Sequence, residues 1–348
     1  MDLVNTFLNW TAPPFTFIAL CMLWPPFQLL KLCMSLFSSV FTEDVAGKVV
    51  LITGASSGIG EHLAYEYAMR GACLVLAARR EKSLREVAAL CLELGAPDAI
   101  VVKADVAKVE DCRRIVDHTI SHYGRLDHLV NNAGVVGISQ FEYTDDVTKF
   151  RPVMDINFWG SVYTTRFAIP HLRNTGGKIV VMSSSASWLP AARESIYNAS
   201  KAAMLAFFET LRVELGSDIK ITIVTPGIIE SEFTKGKVLT ESGMKVDQEL
   251  RDVQVNAIPV GTVEGTARSI VNRVCRGERY VTEPAWFRMT YLLKIFCPEV
   301  LEWTYRLLFL TSTDDTLQGT IGKLMLNIPG ARALLYPSGI ESPDIKIG

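Results

Sequence analysis

The stretch KVVLITGASSGIG, residues 48–60, reads as a short apolar strand, a glycine-rich turn and the opening of a helix. The β-favouring run ends at Thr53, and Gly54, Gly58 and Gly60 then leave the backbone bare, with Ser56, Ser57 and Ile59 between them. Absent side chains there let an anionic group approach backbone N–H groups and the positive end of the following helix. A glycine pattern alone is weak support for such a site. Its position directly after a strand makes it stronger.

Outward from this stretch, short apolar runs recur at 73–78, 99–103, 126–131, 178–182, 220–224 and about 279–282. Helical patterns lie between most of them: to about 70, then 81–94, 109–123, up to about 174, and 197–215. Buried runs alternating with helices predict an α/β fold, a doubly wound parallel sheet of Rossmann type spanning about 43–285. The pattern lapses over about 228–258. Ligands in such folds bind beyond the carboxyl ends of the strands, so this insertion reads as a substrate lid, with a long surface loop as the alternative.

The 348 residues carry 35 Lys+Arg and 37 Asp+Glu, a net charge of −2. With no Lys/Arg-rich run, nucleic acid is not an expected partner. An apolar share of 49% excludes a mainly disordered chain. The seven Cys are scattered without a CxxC, and His62, His118, His122, His128 and His171 form no ligand cluster. Neither a disulfide framework nor a metal site is expected.

Residues 3–42 contain one charged side chain, Lys31, whereas the other 308 residues carry 71. Residues 1–42 therefore read as a hydrophobic anchor. Asp2 and the lack of a small-x-small site argue against a cleaved signal peptide. Pro13-Pro14 and Pro25-Pro26 interrupt the segment, and each proline costs ~3 kcal/mol inside a helix. The proline-free pieces 15–24 and 27–42 reach only ~15 and ~24 Å, short of a ~30 Å hydrocarbon core. A helix–proline turn–helix that dips into a lipid-droplet monolayer, with the knob at 13–26, is the preferred reading. A kinked single span is the other. A second apolar stretch, 285–310, holds Trp286, Phe287, Tyr291, Phe296, Trp303, Tyr305 and Phe309 among Arg288, Lys294 and Arg306. It suits a membrane-surface helix pair, and equally core packing or a dimer interface. Residues 327–348, with Pro329, Pro337 and Pro343, read as an irregular tail.

The second strand ends at Ala78, where a carboxylate would take the ribose 2′-OH of NAD; Arg79 and Arg80 follow instead. Guanidinium donors suit a 2′-phosphate, which favours NADP(H), with Arg79 the stronger candidate and NAD(H) left open. Tyr197 and Lys201, four residues apart, share one helix face, and Ser184 lies 13 residues upstream at a strand end. Hydride transfer to or from an alcohol needs a proton donor or acceptor at the same centre. A phenol with pKa ~10 is a poor base, and a neighbouring ammonium draws it down. Lys201 can supply that charge and hold the nicotinamide ribose, while Ser184, rather than Ser183, holds the substrate oxygen.

Together these motifs resemble the short-chain dehydrogenase/reductase family over roughly residues 45–285. The family's glycine motif matches Gly54, Gly58 and Gly60, its adenine-contacting pair Asp105-Val106, and its Asn-Asn-Ala-Gly motif Asn131, Asn132, Ala133 and Gly134. Its catalytic Asn, Ser, Tyr and Lys match Asn157, Ser184, Tyr197 and Lys201, with Asn157 expected to hold a relay water. Its last motif matches Pro226 and Gly227, with Ile229 near the carboxamide and Ser231 where a Thr is usual. The apolar head and the stretch 279–286 look like the steroleosin subgroup of seed oil-body proteins, which is similar to the 11-beta-hydroxysteroid dehydrogenases. That resemblance implies sterol or steroid alcohols as substrates and a lipid-droplet or endoplasmic-reticulum location with the enzyme domain facing the cytosol. A homodimer follows only by family analogy. Two other readings stay open: retinoid-like or long-chain substrates, and a droplet coat or lipid-binding protein that uses the fold as a scaffold.

Overall fold

The computed structural model of the chain describes residues 2–40, 42–310 and 320–340, with the backbone alone for 34–40. It divides into two units, Met1–Glu43 and Asp44–Gly348.

The first unit is a single helix, α1 (Asp2–Val40), which runs through Pro13, Pro14, Pro25 and Pro26. Its 39 residues measure about 58 Å at 1.5 Å per residue. The helix–turn–helix expected from the prolines is therefore not formed. Each proline forfeits one donor and leaves the carbonyl four residues back without its helical partner, yet the helical conformation continues through all four. Helices built for hydrocarbon tolerate such interruptions. Asp2–Cys33 is long and apolar enough to cross a membrane by length and composition.

The second unit is built on a seven-stranded sheet: β1 (Val49–Thr53), β2 (Cys73–Ala78), β3 (Ala99–Lys103), β4 (His128–Asn131), β5 (Lys178–Met182), β6 (Lys220–Pro226) and β9 (Tyr280–Glu283). Their order is β3-β2-β1-β4-β5-β6-β9, all parallel, with Leu51 paired to Val75 on one side and Leu129 on the other. The expected doubly wound sheet is present. Successive strand side chains face opposite layers, and both layers are covered. Val50 and Ile52 pack with Leu63 and Tyr67 of α2 (Gly58–Ala68), Leu84 of α3 (Glu81–Glu93) and Ile270 of α9 (Val263–Cys275). Val49 and Leu51 pack with Ile115 of α4 (Val109–Tyr123), Leu172 of α6 (Gly160–Thr175) and Phe208 of α7 (Ser195–Leu215).

The insertion after β6 has secondary structure of its own: an antiparallel hairpin, β7 (Lys237–Thr240) and β8 (Gly243–Val246), then α8 (Gln248–Val255). Beyond β9 comes a helix pair, α10 (Arg288–Phe296) and α11 (Pro298–Phe309). The segment from 327 is not irregular as far as Ile340. After α12 (Ile321–Leu326), the short α13 (Ala331–Leu335) folds onto α8, where Arg332 Nη2 meets Asp252 Oδ2 at 2.8 Å. The Tyr336 hydroxyl donates to the Asn256 carbonyl at 2.8 Å, and Ile340 is buried. Pro329 and Pro337 flank α13 instead of preventing it, as prolines outside a helix do. Pro343 lies outside the described residues.

Candidate active site

The carboxyl ends of β1, β4, β5 and β6 open onto one cavity of about 730 Å³, within the size range of small-molecule sites. One end is built by the turn after β1. Gly54 sits at φ +68°, and a Cβ there would lie 2.7 Å from the Ala133 Cα. At Gly60 a Cβ would overlap the Gly54 carbonyl and the Asn132 amide, so only glycine keeps this turn closed against α2. Asn132 holds it: Nδ2 donates to the Thr53 and Gly54 carbonyls at 3.0 and 3.1 Å. The Thr53 hydroxyl accepts from the Asn132 and Ala133 amides at 3.1 and 3.2 Å.

Ser56, Ser57, Gly58 and Ile59 line this end with Asp105, Val106, Ala133, Gly134, Arg79 and Arg80. The two arginines differ from the expectation. Arg79, favoured by spacing, is exposed at the cavity wall. Arg80 reaches inward, with Nη2 donating to the Ser57 and Ser56 hydroxyls at 2.6 and 3.1 Å and Nη1 paired with Glu232 Oε1 at 2.5 Å. Lys237 Nζ takes the other Glu232 oxygen at 2.9 Å. Asp105 Oδ1 accepts from the Ala107 amide at 3.1 Å, which fixes the end of β3.

At the middle of the cavity α7 presents Tyr197 and Lys201, with Lys201 Nζ 5.7 Å from the Tyr197 ring centroid. Ser184, just after β5, faces the same space; its hydroxyl accepts from the Ala186 amide at 3.1 Å. The Ser183 hydroxyl donates to the Lys201 carbonyl at 3.0 Å, and the Ser184 hydroxyl donates to the Pro226 carbonyl over a longer 3.4 Å, which makes Ser184 the easier one to redirect. Pro226, Gly227, Ile229 and Ser231 line the wall opposite the glycine turn's helix. Asn157 is not on the cavity surface. It sits in a π-helical turn (Asp155–Trp159), accepts from the Val135 amide at 2.8 Å and donates to the Val135 carbonyl and the Ser200 hydroxyl at 3.0 Å each. It braces the strand-four loop against α7.

Burial draws the Lys201 ammonium down to about 8, and its Nζ donates to the Met182 carbonyl at 2.8 Å. The Tyr197 phenol is pushed above its ordinary value by enclosure and then by the Glu194 carboxylate, with the Ser184 hydroxyl pulling the other way. The downward tuning expected from Lys201 is thus not produced by these side chains alone, because the ammonium is engaged with a carbonyl and is itself disfavoured by burial.

Glu194, the residue before α7, is pushed up to about 7 by burial, partly offset by the Gln254 amide. With a folded value above the ordinary 4.5, the native state binds the extra proton, so this stabilising contribution is present below 4.5 and lost as pH rises to 7. The loss amounts to about 3 kcal/mol. Glu194→Gln should remove that decline, seen as a flatter thermal midpoint between pH 5 and 8 than in the unmodified protein. An identical slope would show that the carboxyl titrates normally.

The other end of the cavity is apolar and was not assigned by motif: Leu189, Ile258, Phe287, Tyr305 and Phe309 form it, with Glu194 and Gln254 among them. The four-residue spacing of Leu301, Tyr305 and Phe309 is the signal, one face of α11. That helix pair has two faces, since Leu301 and Phe309 are 6% and 2% exposed while Phe296 and Trp303 are 76% and 64% exposed. Core packing and an outward apolar surface are both present.

Comparison with known proteins agrees with this geometry. The family model described as short chain dehydrogenase matches residues 48–242. The chain is 60% identical over 346 residues to 11-beta-hydroxysteroid dehydrogenase A of Sesamum indicum, covering 99% of both. It is 60% identical over 347 residues to 11-beta-hydroxysteroid dehydrogenase 1A of Arabidopsis thaliana, again 99% of both. An X-ray structure of an alcohol dehydrogenase from the archaeon Thermococcus sibiricus, complexed with 5-hydroxy-NADP, shares the fold with a TM-score of 0.57 at 23% identity. It covers 68% of this chain and 94% of that one. Sheet order, glycine turn and these relatives lead to one assignment: the chain belongs to the short-chain dehydrogenase family.

Proposed function

We propose that the chain is a lipid-anchored, NADP-dependent oxidoreductase that interconverts a hydroxyl and a ketone on a sterol- or steroid-like substrate. The observation that carries this reading is a shared wall. Ser184, Tyr197 and Lys201 line the same cavity as the glycine turn and the two arginines, and so do the apolar Leu189, Ile258, Phe287, Tyr305 and Phe309.

The residues present fit a nicotinamide dinucleotide. The bare turn at Gly54–Gly60 accommodates a pyrophosphate against the start of α2, Asp105 and Val106 flank the adenine end, and Arg79 and Arg80 suit a 2′-phosphate. When bound, that group supplies or accepts the hydride at the substrate carbon. Tyr197 gives or takes the proton at the substrate oxygen, and the Ser184 hydroxyl donates to the same oxygen and fixes its direction. Lys201 binds the ribose hydroxyls and provides positive charge beside the phenol. Asn157 keeps Val135 and Ser200, and with them the cavity wall, in register.

Relatives that carry the name 11-beta-hydroxysteroid dehydrogenase support the substrate class. The length and apolar surface of α1 support anchoring in a droplet or endoplasmic-reticulum membrane. The five cysteines of the enzyme unit, Cys73, Cys91, Cys112, Cys275 and Cys297, are all free, in keeping with a cytosol-facing unit. The test is nicotinamide absorbance of the purified chain with steroid alcohols and ketones, set beside retinoid-like and long-chain ketones. Steroid turnover is expected, with kcat/KM for NADP(H) about tenfold or more above that for NAD(H), roughly one lost charge-assisted contact. Reduction of long-chain ketones alone would change the substrate class. No absorbance change with any compound would favour a scaffold or coat protein.

A further inference from the structure

Glu194 immediately precedes the catalytic helix α7, and Gln254 lies near the end of the lid helix α8. Both line the cavity, yet they are only 7% and 4% exposed. The Gln254 amide donates to the Ala192 carbonyl at 3.1 Å and to Glu194 Oε1 at 2.8 Å. These two acceptors fix the orientation of the amide, because turning it over would set its oxygen against two others. Its own oxygen, Oε1, is buried and has no hydrogen-bond partner.

The surroundings make that orphan informative. Leu189, Ile228, Ile258, Phe287, Tyr305 and Phe309 offer carbon almost throughout. The Glu194 carboxylate raises the phenols of both Tyr197 and Tyr305, so it stands within electrostatic reach of the reacting centre and of α11. Docking the lid onto α7 needs only the two donors of the amide. A buried acceptor left over is costly unless something donates to it. Neither group takes part in the proton transfer described above.

We propose that Glu194 and Gln254 form a polar subsite in the substrate end of the cavity, which receives a second hydroxyl carried by the hydrophobic substrate away from its reacting carbon. A hydroxyl both donates and accepts, and the pair answers both needs. Its proton goes to Gln254 Oε1, and its lone pair accepts from the carboxyl of Glu194, which burial keeps mostly protonated below about 7. The inference rests on the function proposed above and narrows its substrate class from steroid alcohols to diols. A mono-alcohol would place carbon over the orphaned oxygen, and sites with buried polar groups discriminate against ligands that leave them unpaired.

The experiment compares kcat/KM of the full chain, in detergent with saturating NADP(H), for a steroid mono-alcohol and for diols that add one hydroxyl at another ring position. The unmodified protein should prefer at least one diol by about tenfold, the scale of one buried hydrogen bond. Gln254→Leu and Glu194→Leu should each erase that preference by lowering the diol value more than the mono-alcohol value. Glu194→Leu serves as the second variant, since it replaces a disfavoured buried carboxyl with an apolar group. A loss shared equally by both substrates in both variants would mean that the pair only docks the lid, and would overturn the subsite. Mono-alcohol turnover without preference for any diol would overturn the subsite and leave the proposed function standing. No turnover of either class would overturn both.

Discussion

Tyr197→Phe should lower kcat about 10²–10⁴-fold while the dinucleotide still binds, which is the range that a single acid–base group contributes. The substitution removes one oxygen and keeps the ring that lies 5.7 Å from Lys201 Nζ. Nothing in the glycine turn depends on that oxygen: its hydrogen bonds run among Thr53, Gly54, Asn132 and Ala133. Lys201 keeps its bond to the Met182 carbonyl. Titration of NADPH fluorescence reads binding, and steroid turnover reads chemistry, so the two effects separate on one sample. A phenylalanine variant with undiminished kcat would remove the proton-transfer scheme altogether.

Removal of residues 1–42 should move the protein from the membrane or droplet fraction to the soluble fraction with its activity retained. The apolar helix supplies the partitioning: insertion of a span of this kind is effectively irreversible, unlike the marginal hold of a single acyl chain. The cavity residues run from Gly54 to Phe309, all within the unit that begins at Asp44. Flotation on lipid and turnover of the same preparation check both halves. A truncated chain that still floats would identify α10 and α11 as a second lipid contact, through exposed Phe296 and Trp303 with Arg288, Lys294 and Arg306 beside them.

The sheet could be read from the sequence because its strands are covered on both faces. Cys73–Ala78 and Ile179–Met182 are unbroken apolar runs, and such runs have one stable setting in an α/β chain. The dinucleotide turn was legible for a related reason, since three glycines after a strand leave few other uses. α9 escaped notice because its apolar positions, among them Ala267, Ile270 and Val274, are diluted by Glu264, Arg268 and Arg273 on its solvent side. The prolines of α1 misled, because a helix penalty assigned one residue at a time does not decide that the chain turns there, and the helix continues through all four. Arg80 outranked Arg79 in contacts for a reason no spacing carries: its partner Glu232 lies 152 residues along the chain. Glu194 and Gln254 were invisible for the same reason. Each is ordinary in its own segment, and the two meet only where α8 packs beside the start of α7.

One further detail reaches beyond chemistry. A Cβ at Gly227 would occupy the volume of the Phe287 ring, which is held in turn by Trp188, Leu189 and Leu301. The motif glycine and the aromatic of the carboxyl-terminal extension are therefore coupled in packing: a side chain at position 227 needs a smaller residue at 287, so the cavity wall after β6 and the start of the extension fit together as one piece.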